Sequence, residues 1–256
     1  MNERVIYLRL VGGLGNQLYQ FAFAYYLRER FDFDKIKIDT SGMSTYNEFW
    51  GVLLDIVISQ KKISNFVEYG EFPILKYRIP KIAKKIKLDL SRFGFISDCI
   101  DESILSDRNL PKNLVLDGYF EKVAIRFDYK DILKPILRDD LFIDLPSNLV
   151  VINVRGGEFV RIGLSSGSDR EYYKKSISEI KLVIPNPVFH LITDDVVYAT
   201  KLLEGICIFD EIHTPDPVSN FKYLFSAKNK ILSQSTFAKW AGFLGEQNNV
   251  FYYSEF

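Results

Sequence analysis

Four places in the chain set polar side chains or bare backbone directly after an apolar run. Gly12-Gly13-Leu14-Gly15-Asn16-Gln17 follows "VIYLRL", Arg155-Gly156-Gly157-Glu158 follows "LVVINV", Asp194-Asp195 follows "PVFHLIT", and Gln234-Ser235-Thr236 follows "NKILS". Glycines let a backbone approach a ligand closely, and a helix that starts just beyond them offers unpaired N–H donors to an anion. An arginine before two glycines can hold a diphosphate through paired hydrogen bonds, or it can form a surface ion pair with Glu158. Ser235 and Thr236 open the helical pattern "STFAKWAGFLGE", a position that serves either a helix cap or a bound phosphate. Asp194 and Asp195 can read a guanine edge or a ribose, or simply start the next helix. Asn16 is open in the same way, between a helix cap and a ligand contact. The glycine stretch is not a P-loop, because no Gly-Lys-Ser/Thr follows. It also misses the dinucleotide fingerprint, since counting from Gly13 places Leu18 at the third glycine.

The elements that must position these residues read as strands alternating with helices. Residues 5 to 10, 35 to 39, 114 to 120, 149 to 154, 187 to 193, 205 to 210 and 229 to 233 read as short buried strands. Helical patterns lie near 16 to 30, 169 to 182, 195 to 204, 218 to 227 and 235 to 246, and the stretch 129 to 140 is interrupted by Pro135. Such alternation predicts parallel sheets flanked by helices, with ligands outside the carboxyl ends of the strands. The Pro-marked stretch "DLPSN" divides the chain into two α/β halves, 1–146 and 147–256. Four functional-looking tips on that edge suggest a nucleotide-type ligand held between two domains.

Bulk properties narrow the class. Hydrophobic residues make up 47% of the 256, enough for packed cores, and Lys plus Arg equal Asp plus Glu at 33 each, so net charge does not point to nucleic acid. Cys99 and Cys207 are isolated, and the two histidines, His190 and His213, are far apart in unlike contexts, so neither a disulfide framework nor a zinc cage is expected. Asp32-Phe33-Asp34 has a metal-binding spacing but falls on the amino edge of the sheet, away from the other candidates. With no signal-peptide pattern and no long apolar run, a cytoplasmic protein is expected. The lysine-rich "KIAKKIK" at 81 to 87 suits either a solvated helix face or contact with an anionic membrane surface.

Five segments, "GGLGNQLYQFAFA", "DGYFE", "INVRGGEF", "LITDD" and "LSQSTFAKWAGFLG", occur in an order that resembles the α-1,2-fucosyltransferases of glycosyltransferase family 11. The resemblance implies a GT-B-like α/β fold of two Rossmann-type domains with parallel sheets facing a cleft. It implies GDP-β-L-fucose as donor, inversion at the anomeric carbon and no metal or other cofactor. The N-terminal domain would be the acceptor side and the C-terminal one the donor side. Arg155 takes the place of the first arginine of a His-x-Arg-Arg-Gly-Asp motif that clamps the donor pyrophosphate. Ser235 and Thr236 match the Ser-Thr pair that receives phosphate, Asp194 and Asp195 the acidic pair near the nucleoside, and Gly12, Gly13, Gly15 and Asn16 the loop facing fucose and diphosphate.

The chain departs from that motif at Asn153 in place of His, Gly156 in place of the second Arg and Glu158 in place of Asp, while Lys239-Trp240 replaces a Trp-Trp. Arg161 is positioned to replace the missing charge, and Glu158 is the candidate general base. Arg155, Glu158 and Asn16 thus form the catalytic set, with Asn153 among the donor contacts. The acceptor would be a galactose-containing oligosaccharide or a lipid-linked glycan at the inner face of a membrane. A transferase of another GDP-sugar or linkage, or a nucleotide-sugar-binding protein without turnover, are the rival readings.

Overall fold

The computed structural model describes residues 3–41, 52–72, 94–96, 110–124, 129–161, 163, 169–213 and 216–253, and the lysine-rich stretch at 81 to 87 lies outside them. The chain forms two compact units, Met1–Arg138 and Asp139–Phe256. The break falls before the Pro-marked stretch because residues just upstream of it are tied into the second unit. Leu141 is buried, the Ile143 amide donates to Ser226 Oγ (3.0 Å), Ser226 Oγ donates to the Leu141 carbonyl (3.3 Å), and Lys222 pairs with Asp140 (2.7 Å).

The first unit holds a five-stranded sheet in the order β3-β2-β1-β5-β4. Its strands are β1 (Val5–Arg9), β2 (Lys35–Asp39), β3 (Val67–Gly70), β4 (Phe95–Ile96) and β5 (Asn113–Leu116), and every pairing is parallel. Helix α1 (Leu14–Phe31) follows β1 and is buried around most of its circumference, from Leu14 to Leu27. It ends where Asp32 adopts a left-handed conformation (φ 54°), with Arg28 and Arg30 in the last turn, where cations complement the helix dipole. Asp34 accepts the Arg4 amide (2.7 Å), so this carboxylate has a backbone task. Pro135 acts as expected: the helix Tyr129–Leu133 gives way to a single 3-10 turn, Lys134–Ile136.

The second sheet runs β10-β9-β6-β7-β8, again with every pairing parallel. Here β6 (Leu149–Val154) is buried at all six positions, as a β-branched run flanked on both sides and covered on both faces must be. It is joined by β7 (Val188–Thr193), β8 (Glu211–His213), β9 (Asn229–Ile231) and β10 (Asn249–Phe251). The helices are α2 (Gly157–Arg161), α3 (Asp169–Val183), α4 (Val196–Leu203), α5 (Pro217–Ser226) and α6 (Thr236–Leu244). One core joins Val150, Ile152, Tyr173, Ile177, Leu191, Leu203 and Ile231.

Two expectations are corrected. "GICIFD" at 205 to 210 is not a strand: Gly205 takes a left-handed conformation (φ 72°), and the amides of Ile206 and Cys207 turn back onto the Leu203 carbonyl. Ile208 is consequently 89% exposed, and the edge strand starts only at Glu211. Strand β10 was not anticipated, because three half-buried residues carry no usable periodicity. Cys207 is a free thiol whose pKa burial pushes up to about 11, which makes it a poor nucleophile at neutral pH.

Lys230, at the centre of β9, is fully buried, and its ammonium donates to the Leu224 carbonyl (2.8 Å) and the Phe225 carbonyl (3.3 Å) at the C-terminal end of α5. A cation there answers the Leu224 carbonyl and the negative end of the helix dipole, while the Phe225 carbonyl also accepts the Glu246 amide (2.9 Å). Lys230→Met keeps most of the stem but takes the ammonium from the Leu224 carbonyl, leaving Phe225 with its Glu246 bond, so we expect a loss of about 1–3 kcal/mol in urea unfolding.

Candidate functional site

Both sheets reverse direction at their first strand. In the first unit the chain runs β1-β2-β3 to one side, then returns to place β5 against the other side of β1. In the second it runs β6-β7-β8, then returns to place β9 against β6. Ligands of open parallel sheets sit at such switch points, outside the carboxyl ends of the two diverging strands. The four polar tips fall at these ends or beside them.

In the second unit the loop after β6 is held by the loop after β7. Arg155 pairs with Asp194 (Nη1 to Oδ2, 2.5 Å), and both side chains are about one quarter exposed. The other oxygen of Asp194 accepts the Gly156 amide (2.8 Å), and Asp195 accepts the Gly157 amide (3.3 Å). Asp195 is also the N-cap of α4, accepting from the Tyr198 amide (3.0 Å), so it does begin a helix while serving the loop. This interlock explains the glycines. A Cβ on Gly156 would lie 2.6 Å from Asp195 Cβ and 3.0 Å from Tyr198 Cδ1, and Gly157 has φ +50°.

Asn153, one turn of the pleat earlier, is buried at the seam between β6 and β9. Its Oδ1 accepts from Ser233 Oγ (2.6 Å), its Nδ2 donates to the Ile192 carbonyl (3.3 Å), and its own carbonyl accepts Tyr173 Oη (2.8 Å). Ser233 in turn accepts the Ser235 amide (3.3 Å), and Ser235 caps α6 by accepting from the Ala238 amide (3.1 Å). Ser235 is buried, whereas Thr236, the first residue of α6, is partly exposed. Beside Arg155 a cavity of about 10 Å³ is lined by Val154, Asp169, Tyr173, Ser233 and Gln234. Asp169 is buried there and accepts Tyr253 Oη (2.8 Å) and Tyr198 Oη (3.4 Å). Glu158 lies in α2, but its side chain is outside the described set; Arg161, in the last turn of α2, is exposed.

The first unit presents the glycine stretch at its own switch point. Gly13, not Asn16, is the N-cap of α1, so the capping alternative for Asn16 is overturned: the helix begins at Leu14 and Asn16 sits in its first turn. Gly13 has no side chain to cap with, and the first turn holds no acidic residue, which leaves the positive end of α1 without a carboxylate. Gly12 has φ +80°, and a Cβ there would fall 2.8 Å from Asn16 Nδ2. Gly15 is buried within the helix.

Two fully buried glutamines give this loop its shape. Gln20 Oε1 accepts the Val11 amide (3.0 Å) and its Nε2 donates to the Val11 carbonyl (3.2 Å). Gln17 Nε2 donates to the Gly12 carbonyl (2.8 Å), while its Oε1 accepts the Leu53 amide (2.8 Å). Neither role was foreseen, although polar residues at i and i+3 in an otherwise apolar helix face are a usable signal. Arg9 and Asp117, which follow or end the two diverging strands, pair at 3.5 Å. Asn153, Arg155, Asp194 and Asp195 are thus brought together, with Ser235 linked to them through Ser233. Ser233 and Asp169 were missed.

The structure also reverses the reading of the two histidines as unrelated. Neighbouring strands bring His190, Glu211 and His213 together, with one potential ligand atom of each within 4.8 Å of the others.

Residues 5–253 match the model of Glycosyl transferase family 11. Among curated proteins the chain is 24% identical to an alpha-1,2-colitosyltransferase of Escherichia coli, over 94% of this chain and 87% of that one. It is 22% identical to the O-antigen biosynthesis glycosyltransferase WbnK of the same species, over 93% and 90%. Among solved structures it is similar to the alpha-1,6-fucosyltransferase NodZ soaked with GDP-fucose (TM-score 0.56, 15% identity, 95% of this chain and 93% of that one). It is also similar to Arabidopsis thaliana FUT1 in complex with GDP (TM-score 0.57, 10% identity, 95% and 69%). At such identities these structures establish the fold, the two-sheet α/β architecture of GT-B fucosyltransferases.

Two substitutions test the loop geometry. Gly156→Ala forces the start of α4 to shift and is expected to cost about 1–3 kcal/mol in urea unfolding, as overpacking does. Gln20→Leu leaves the Val11 amide and carbonyl without their partner and should cost about 2–4 kcal/mol in the same measurement.

Proposed function

The chain belongs to glycosyl transferase family 11, and from that premise we propose that it is an inverting fucosyltransferase that moves L-fucose from GDP-β-L-fucose to a sugar hydroxyl. The acceptor in this reading is the 2-hydroxyl of a galactose in a surface glycan, free or lipid-linked, reached at the inner face of a membrane. Among the described residues no helix is long and apolar enough to cross a bilayer. Two matched relatives are named for α-1,2-colitosyl transfer and O-antigen biosynthesis, and a matched fold neighbour was solved with GDP-fucose. These names support the reading.

The observation that carries it is Arg155. It leaves the end of β6 at the switch point, pre-oriented by Asp194, with the Gly156 and Gly157 backbone beside it. A guanidinium carries five N–H donors in a planar fork whose geometry suits the oxygens of a pyrophosphate. Fixing the arginine before the donor arrives lowers the ordering cost of binding and places positive charge where the leaving group gains negative charge. In this reading Asp194 and Asp195 act on the donor through the loop they hold, and Asn153 through the seam with Ser233. Thr236 and the capped start of α6 offer phosphate donors, as the glycine stretch and Asn16 do in the first unit.

The transfer is a single displacement. The acceptor oxygen bonds to the anomeric carbon as the bond to GDP oxygen breaks, the electron pair leaves on GDP, and the hydroxyl proton passes to a base. Glu158, on the turn after Arg155, is our candidate for that base. No metal or other cofactor is assigned to this step.

A second reading has a different GDP-linked deoxysugar as the donor, and the colitosyltransferase relative favours it. Both readings predict that GDP binds in calorimetry and UDP does not. Arg155→Ala should weaken GDP by about ten- to a hundredfold, the worth of a charged hydrogen-bonding pair. A product formed from GDP-fucose, with its linkage read by NMR, selects the first reading; turnover only with another GDP-sugar selects the second. Equal affinity for GDP and UDP would sink both.

A further inference from the structure

Away from the switch point, the second sheet ends on an edge strand that carries ligand chemistry. Glu211 and His213 are two apart on β8, so they share one face of the sheet, and parallel register places Glu211 beside His190 on β7. Glu211 reaches both rings: Oε2 is 3.4 Å from His190 Nδ1, and Oε1 is 3.6 Å from His213 Nε2. Tyr223 of α5 covers the cluster, stacked on His190 (ring centroids 5.9 Å apart, planes 6° apart) and 4.3 Å from the His213 ring. Its hydroxyl lies 2.7 Å from His190 Nδ1. His213 Nε2 is shielded from solvent and makes no hydrogen bond among the described residues, although it points into the cluster.

We propose that His190, Glu211 and His213 form a binding site for a divalent late first-row cation of the zinc type, which pins the edge strand β8 to β7. Two imidazoles and one carboxylate are a familiar zinc set, and a tetrahedral ion with bonds of about 2.0–2.2 Å separates its ligand atoms by roughly 3.3–3.6 Å. Each carboxylate oxygen of Glu211 lies at about that spacing from one ring nitrogen, Oε2 from His190 and Oε1 from His213. Binding would draw in by side-chain rotation the three ligand atoms, which already lie within 4.8 Å of one another. The cation would exchange for the Tyr223 hydrogen bond at His190, leaving water for the fourth position.

The site is structural and separate from the Arg155 loop. Three donors from two strands supply the cross-link that a three-residue edge strand cannot provide with its backbone alone. Calcium and magnesium are excluded as favoured ions because they select all-oxygen sites.

The test uses the full chain stripped with EDTA and dialysed. Titration with Zn2+ should show one ion bound and a thermal midpoint that rises with Zn2+ but not with Mg2+. Co2+ in its place should give the intense visible bands of a tetrahedral N/O site. Glu211→Gln, at an exposed position that leaves folding intact, should weaken Zn2+ by roughly 10- to 100-fold or more, and His213→Asn should abolish the Co2+ bands. Absence of Zn2+ binding by the stripped protein, or binding unchanged in both variants, would overturn the proposal. Tyr223→Phe removes the competing hydroxyl while keeping the ring, and it should bind Zn2+ at least as tightly as the parent. A weaker affinity there would overturn the assignment of His190 Nδ1 as a ligand.

Discussion

The second unit depends on two neighbouring carboxylates that hold one loop. β6 is buried at every position, so its chain must leave the sheet abruptly, and the amides of Gly156 and Gly157 must find acceptors where the ladder ends. Asp194 and Asp195 provide them, and the same residues start α4 and orient Arg155. Strand end, helix start and cationic side chain are thereby fixed by one pair of residues. The glycines follow from that geometry, since a side chain at Gly156 would occupy the space of Asp195.

The first unit solves a similar problem with neutral groups. Gln17 and Gln20 reach back from α1 to the backbone of the turn that precedes it, so the glycine stretch is bonded by the helix it introduces. An amide is suited to this task because it donates and accepts at once and carries no charge into a buried place. Each unit therefore delivers a pre-formed loop at its switch point, one beside an arginine and one at the start of a long helix without an acidic first turn. Pre-formed loops fit a protein family whose chemistry is the transfer of a sugar from a charged carrier, because catalysis there rests on charge placed in advance.

The remaining polar burial is of another kind. Lys230 and the His190, Glu211 and His213 group are spent on holding elements to the second sheet, not on its carboxyl edge. Lys230 ties a strand to a helix end, and the histidine group sits where the three-residue edge strand β8 meets β7.

Much was legible without coordinates, for physical reasons. Period and length placed β6, β7, α1 and α3 within a few residues, because long apolar runs and a complete amphipathic helix leave few alternatives. The rule that ligands sit at strand ends singled out Arg155, Asp194, Asp195 and Ser235 before any contact was known. Short elements were not legible: "GICIFD" is as apolar as a strand but turns back on a helix end, and β10 is too brief to show a period. The sequence by itself therefore determined the α/β class, the alternation of elements and which strand tips carry chemistry, since these depend on local pattern. Only the tertiary structure decided which partner each side chain takes. Arg155 pairs with Asp194 from the next strand, Gly13 rather than Asn16 caps α1, and His190 meets His213. Those choices depend on strand register, which brings together residues that are distant along the chain.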